Sequence, residues 1–160
     1  MKQDLLLFAL HFASILPPAD PFLRRVYATI DDWIASEWER KEAIRTEALS
    51  SDGWTPERHA RLRDATLTTH RLANRIDGMS EATFRRELAK LGAPPPGELI
   101  RKARMRHATK LLTHTRLMIH KIAKRCGYKS EKHFADAFRA EFHTTPSEYR
   151  RKFISGPPDT

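Results

Sequence analysis

Two short apolar faces that meet at a glycine, between Ile119 and Phe142, constrain this chain more than any other stretch. Ile119, Ile122, Ala123 and Cys126 precede Gly127, and Phe134, Ala137, Phe138 and Phe142 follow Ser130. Spacings of three and four residues put each set on one side of its helix. Gly127 supplies the positive φ that a tight inter-helix turn needs, Ser130 is a natural N-cap, and small Ala123 permits a close approach. The pattern predicts a helix-turn-helix over 118–142.

A looser copy of this unit precedes it by about 50 residues, and two such units are more informative than one. Leu72, Ala73 and Ile76 lead to Asp77-Gly78; Ser80 then caps a helix with Phe84, Leu88 and Leu91 inward and Arg85, Arg86 and Lys90 outward. This predicts a first helix-turn-helix over 67–91. Between the units, a proline-rich corner from Gly92 to Gly97 opens a basic helix over 96–113. Its apolar side is Leu99, Ile100, Ala103, Met105, Ala108, Leu111 and Leu112. A rigid helix there fixes the separation and angle of the two units. Thr145-Pro146 enters a short terminal helix over 146–153, and 154–160 is expected to be a frayed tail.

Charge follows the same division. The 160 residues carry a formal net charge of +9. Residues 1–71 hold 10 Lys and Arg against 11 Asp and Glu, a net of −1, whereas residues 72–153 hold 19 against 8, a net of +11. A basic surface confined to the helix-turn-helix region points to a polyanionic partner, and the second helix of such a unit suits a DNA major groove. The single cysteine, Cys126, excludes an internal disulfide, suits a reducing compartment and reads as a small buried apolar residue. No apolar run reaches the 18 residues of a membrane span.

Residues 1–66 read as an extra helical segment for packing or association. Leu5–Leu16 is apolar nearly all round, and three readings stay open: a helix packed on the body, an association helix, or a targeting signal. A long helix is expected from Pro21 to about Leu49, capped by Asp20, with Phe22, Val26, Ile30, Trp33, Ile34 and Trp38 on one stripe. Its charged end, from Glu37 to Glu47, reads as a solvated face. After the break at Ser50-Ser51-Asp52-Gly53, Thr55-Pro56 starts a further helix expected to run to about Ile76.

The unbroken stretch I-A-K-R-C-G-Y-K-S-E-K-H-F-A-D-A-F-R-A-E-F-H-T-T-P-S-E-Y-R-R, with the two units and their linking helix, resembles the DNA-binding domain of the AraC/XylS transcription regulators over about residues 67–152. The resemblance implies an all-α domain with two helix-turn-helix lobes joined by a long linking helix. Its two recognition helices enter successive major-groove segments on one face of the duplex. Residues 21–49 would supply the family's first helix, and about 40–66 would be an insertion. Four residues depart from the family pattern: Met118 at a capping Ser/Thr position, His143 for Gly, Glu87 for a neutral residue, and Asp136 for a basic or polar reader.

Carried over by position, the first recognition helix offers Ser80, Ala82, Arg85, Arg86 and Lys90 to DNA. The second offers Ser130, Glu131, Lys132, His133, Ala135 and Asp136, and Lys121, Lys124, Arg125, Lys129 and Arg139 are candidate phosphate contacts. His107, His114 and His120 are not spaced to share a metal, and no glycine-rich phosphate loop or nucleophile motif occurs. The expectation is therefore a cytoplasmic, non-enzymatic regulator without cofactor or membrane partner. It would bind double-stranded DNA sequence-specifically and activate transcription through RNA polymerase or by relieving a silencing protein. The alternative is a regulator controlled by protein association through residues 1–66, as a homodimer or by docking a chaperone or antiactivator.

Overall fold

The computed structural model describes residues 19–50 and 53–154, which form eight α-helices with no strand among them. These are α1 (Pro21–Ser50), α2 (Pro56–Asp64), α3 (Thr69–Asp77), α4 (Glu81–Lys90), α5 (Pro96–His114), α6 (Ile119–Arg125), α7 (Glu131–Phe142) and α8 (Pro146–Ile154). The expected all-α architecture is present, with two helix-turn-helix units on a linking helix and extra helices in front. Leu5–Leu16 and the tail beyond Ile154 lie outside the described residues. None of the described helices is long and apolar enough to cross a membrane.

Each turn follows from its residues. Gly78 and Gly127 sit at φ 63° and 80°, where a Cβ is disfavoured. Thr83 N–H donates to Ser80 Oγ at 3.1 Å and His133 N–H to Ser130 Oγ at 3.2 Å, so both serines cap the helices that follow them. Asp20 Oδ1 likewise accepts from Leu23 N–H at 3.0 Å and opens α1.

The two lobes have separate cores. In the first, Val26, Ile30 and Ile34 of α1 meet Leu72, Ala73 and Ile76 of α3, Phe84 and Leu88 of α4, and Leu99, Ile100 and Ala103 of α5. In the second, Met105, Ala108 and Leu112 of α5 meet Ile122 and Ala123 of α6, Cys126, and Phe134 and Phe138 of α7. At 3.6 residues per turn, the two sets on α5 point to roughly opposite sides of the helix. One element thus serves both cores, changing face between Ala103 and Met105.

The single helix expected from Thr55 to about Ile76 is instead two. α2 ends at Asp64, and Thr68 caps α3 by accepting from Arg71 N–H at 3.3 Å. The break is tertiary in origin. Trp33 Nε1–H donates to Ala65 O at 2.9 Å, and Leu67 N–H turns to Glu37 Oε2 at 3.4 Å. α2 buries no side chain and is fastened to α1 by charge, Arg61 Nη1 reaching both oxygens of Glu47 at 3.0 and 2.8 Å. The charged end of α1 is also not uniformly solvated: Glu37 is 3% exposed, the one buried charged residue among those described.

His143 ends α7 in the left-handed region at φ 56°, with its N–H bonded to Arg139 O at 2.8 Å. A side chain there costs about 1–2 kcal/mol, part of which glycine returns through its freer unfolded state. His143→Gly should therefore raise stability by roughly 0.5–1 kcal/mol. An unchanged or lower urea midpoint would show that the imidazole makes a compensating contact.

Candidate nucleic-acid interface

α4 and α7 occupy the second-helix position of their units, and burial decides which face each leaves open. On α4, Phe84 and Leu88 are fully buried, and Ala82, Arg85, Arg86, Ala89 and Lys90 are exposed on the opposite side. On α7, Phe134 and Phe138 are buried, and Lys132, His133, Asp136 and Arg139 are exposed away from them. Ala135 is half-buried at the edge of that stripe. Glu131 is exposed at the first helical position, where the helix dipole favours a carboxylate.

Hydrogen bonding separates the residues further. Arg85 is ion-paired to Glu81 one turn back, and Lys90 Nζ lies 2.8 Å from Glu87 Oε1. Arg86 makes no hydrogen bond or ion pair among the described residues, nor do Lys121, Lys124, Lys129, Lys132 and Arg139 through their side chains. Lys121, Lys124 and Lys129 are exposed on α6 and the turn before α7, and Arg125 is half-buried at the end of α6. The hydroxyls of Ser80 and Ser130 are used by their caps, so these two residues hold the helices in place. Met118, at the start of α6, makes no side-chain cap and is exposed.

Two features beyond the candidate readers position these helices. Behind α7, Phe138 packs on Phe134, Phe142 and Tyr149 at centroid distances of 5.8, 4.4 and 5.3 Å. At the start of α8, Thr145 and Glu148 bond reciprocally: Glu148 Oε2 accepts from Thr145 N–H at 2.9 Å, and Thr145 Oγ1 accepts from Glu148 N–H at 3.2 Å. Those bonds hold the Glu148 carboxyl at about 2. The T-P-S-E spelling is the sequence signature of that capping box. Arg150 Nη2 then ties α8 to Leu117 O, just before α6. Burial pushes the Cys126 thiol up to about 12, so it serves as packing.

Residues 72–152 match the family described as a helix-turn-helix domain. The RCS-specific transcriptional activator RclR of Escherichia coli K12 is 27% identical over 144 residues, covering 87% of this chain and 50% of that protein. The transcriptional activator RhaR of an Enterobacter species is 32% identical over 73 residues, covering 46% of this chain and 26% of that one. The chain thus spans about half the length, or less, of these curated relatives. Among solved structures, a DNA-binding transcriptional dual regulator from E. coli K-12 superposes with TM-score 0.61 at 21% identity, covering 87% of this chain and 98% of that one. The C-terminal domain of AraT, a response regulator from Geobacillus stearothermophilus, gives 0.59 at 26%, covering 88% and 93%.

Proposed function

We propose, because this chain belongs to the AraC-type helix-turn-helix family, that it is a sequence-specific double-stranded-DNA-binding regulator that activates transcription from the cytoplasm. Residues 67–153 form the DNA-binding domain, with α4 and α7 in successive major-groove segments. The observation that carries this reading is the pairing of two serine-capped helices, each with an exposed polar stripe, on one shared linking helix. Relatives bearing the activator name support the sign of regulation, and activation would act either through contact with RNA polymerase or by relieving a silencing protein on the same DNA.

Within α4, Arg86 is the strongest base reader. It is exposed and has no hydrogen-bond or ion-pair partner among the described residues, and guanidinium matches the two acceptors of a guanine edge. Arg85 must first leave Glu81, and Lys90 must leave Glu87. On α7, Lys132 and His133 reach bases or phosphates, and Asp136 and Glu131 select for cytosine amino groups or against other sequences. Lys121, Lys124, Arg125, Lys129 and Arg139 bind phosphates.

Selection of bound sequences from a random duplex pool tests the proposal. Two short motifs about one helical turn apart are expected; one motif alone would assign α7 to positioning, and no enrichment would overturn sequence-specific binding. Arg86→Ala should weaken binding to the selected site by about 1–3 kcal/mol and relax the motif read by α4. An equal loss on random duplex would reduce Arg86 to a phosphate contact.

A second reading, control by protein association through residues 1–66, is favoured by one corner of the structure. Leu49 and Trp54 flank the α1–α2 junction and are 85% and 45% exposed. Light scattering across a concentration series distinguishes a homodimer, whose mass rises with concentration, from a monomer.

A further inference from the structure

We infer that Glu37 and Arg104 form a buried strut through which α1, outside the matched segment, sets the angle and separation of the two recognition helices. The consequence at DNA rests on the two-reader proposal; the geometry of the strut does not.

Arg104 lies where α5 changes allegiance, since Ala103 belongs to the first core and Met105 to the second. Beyond α5 itself, the second lobe meets the first where α6 approaches α1, and Arg104 adds a polar tie at that junction. Its Nη2 lies 3.5 Å from Glu37 Oε2, and its Nη1 donates to Gly127 O at 3.1 Å, in the turn between α6 and α7. Glu37 in turn accepts from Leu67 N–H at 3.4 Å, at the entrance to α3, and from Lys41 Nζ. One chain of polar contacts therefore runs from the entrance of the first unit, through α1 and α5, to the turn of the second.

The strut is built rather than incidental. The Arg104 side chain is 15% exposed and that of Glu37 is 4%, so both charges have given up most of their water; Lys41 shares the Glu37 carboxylate, and Arg104 Nε is buried without a hydrogen-bond partner among the described residues. A buried ion pair adds little net stability, but its strict geometry can specify one arrangement over others, and here the arrangement concerns two reading heads. Gly127 belongs to the same construction. A Cβ at that position would stand 2.6 Å from Arg104 Nη1, so the turn leaves the space that the guanidinium fills. A second link between α1 and α5, Arg106 to Asp31 at 2.9 Å, is more open, with side-chain exposures of 24% and 52%, and serves as a comparison. Glu37 and Arg104 are positioning residues and do not themselves reach the open faces of α4 and α7.

Spin labels on Ala89→Cys and Ala140→Cys, exposed on α4 and α7, report the inter-helix distance in the DNA-free protein; buried Cys126 stays unlabelled. Arg104→Met should roughly double the width of the distance distribution, and Arg106→Met should leave it close to wild type. The double variant Glu37→Gln/Arg104→Met removes both charges and makes the same test should the single variant not fold. At DNA, one inserted base pair turns the second motif by about 36°. The wild-type protein should lose about tenfold or more in affinity per base pair inserted or removed between its motifs, and the variant less than about threefold. A folded variant with the wild-type distance distribution and spacing preference overturns the strut. A broadened distribution in a protein that selects no two-part site overturns the DNA proposal and leaves the strut standing.

Discussion

Phe138→Ala should destabilise the second lobe by about 3–5 kcal/mol, the cost of emptying a large aromatic site that its surroundings refill only in part. The ring is fully buried and central to its core. It contacts Phe134 one turn back, Phe142 one turn on, and Tyr149 of α8 at an interplanar angle of 80°. Such edge contacts add about 0.5–1.5 kcal/mol each beyond the area they bury. Few neighbours can move in to fill the gap, because α7 is pinned by its Ser130 cap and α8 by the Thr145–Glu148 box. Hydrogen exchange by segment supplies the check. Amides of α6, α7 and α8 should lose protection by the full cost, whereas α3 and α4, whose core shares no residue with Phe138, should keep most of theirs. Uniform loss across both lobes would mean that the chain unfolds as a single unit. A cost below about 1 kcal/mol would mean that the second core repacks.

The division into lobes is legible in the sequence, and the reason is local. In both units the cap, the glycine and the apolar spacing are encoded within about 25 residues, so local rules agree with the final packing. The face change of α5 is not legible in the same way. Taken together as one apolar side, Leu99, Ile100, Ala103, Met105, Ala108 and Leu112 conceal two sets that helical spacing already puts on opposite faces, and the packed lobes show which core each face serves. The break between α2 and α3 is hidden for a different reason. Nothing from Ala65 to Thr68 forbids a helix, and the backbone is diverted by Trp33 and Glu37, both about 30 residues away on α1.

Charge patterning misleads in one place and informs in another. From Glu37 to Glu47, alternating signs at helical spacing have the signature of a wet surface, and Glu39, Arg40 and Glu42 are indeed open to solvent, whereas Lys41, Arg45 and Glu47 are half-buried. Glu37 escapes the rule because, besides Lys41 one turn on, it takes partners at Leu67 and Arg104, 30 and 67 residues away. On the candidate DNA face, spacing can suggest that Arg85 pairs with Glu81 and Lys90 with Glu87. The same spacing leaves Arg86 with no carboxylate three or four residues away, and it has no partner among the described residues, which makes it the readier cation. Ser80 and Ser130 show the reverse. Their place at the head of each recognition helix suggests contact with DNA, but their oxygens are already used in holding the helix start.

Raising the salt concentration from 50 to 200 mM should weaken specific binding by about a thousandfold, or roughly 4 kcal/mol. Six cations support that figure: Lys90 on α4, Lys121, Lys124 and Arg125 on α6, Lys129 before α7, and Arg139 on α7. Each phosphate neutralised releases condensed counterions, and the logarithm of affinity falls with the logarithm of salt at a slope of about −0.9 per contact. Six contacts give a slope near −5, and a fourfold rise in salt then multiplies into about three decades. The cations on α6 and the turn after it enter this count more securely than Lys90, which pairs with Glu87 in the free protein. Fluorescence anisotropy on the selected duplex at four or five salt concentrations measures the slope directly. Lys124→Ala should make it shallower by about one, with equal loss on random and selected sequences, whereas Arg86→Ala should change sequence choice more than slope. A wild-type slope near −1 or −2 would place most of the basic surface of residues 72–153 away from the duplex, and the excess charge would then need a different polyanion to explain it.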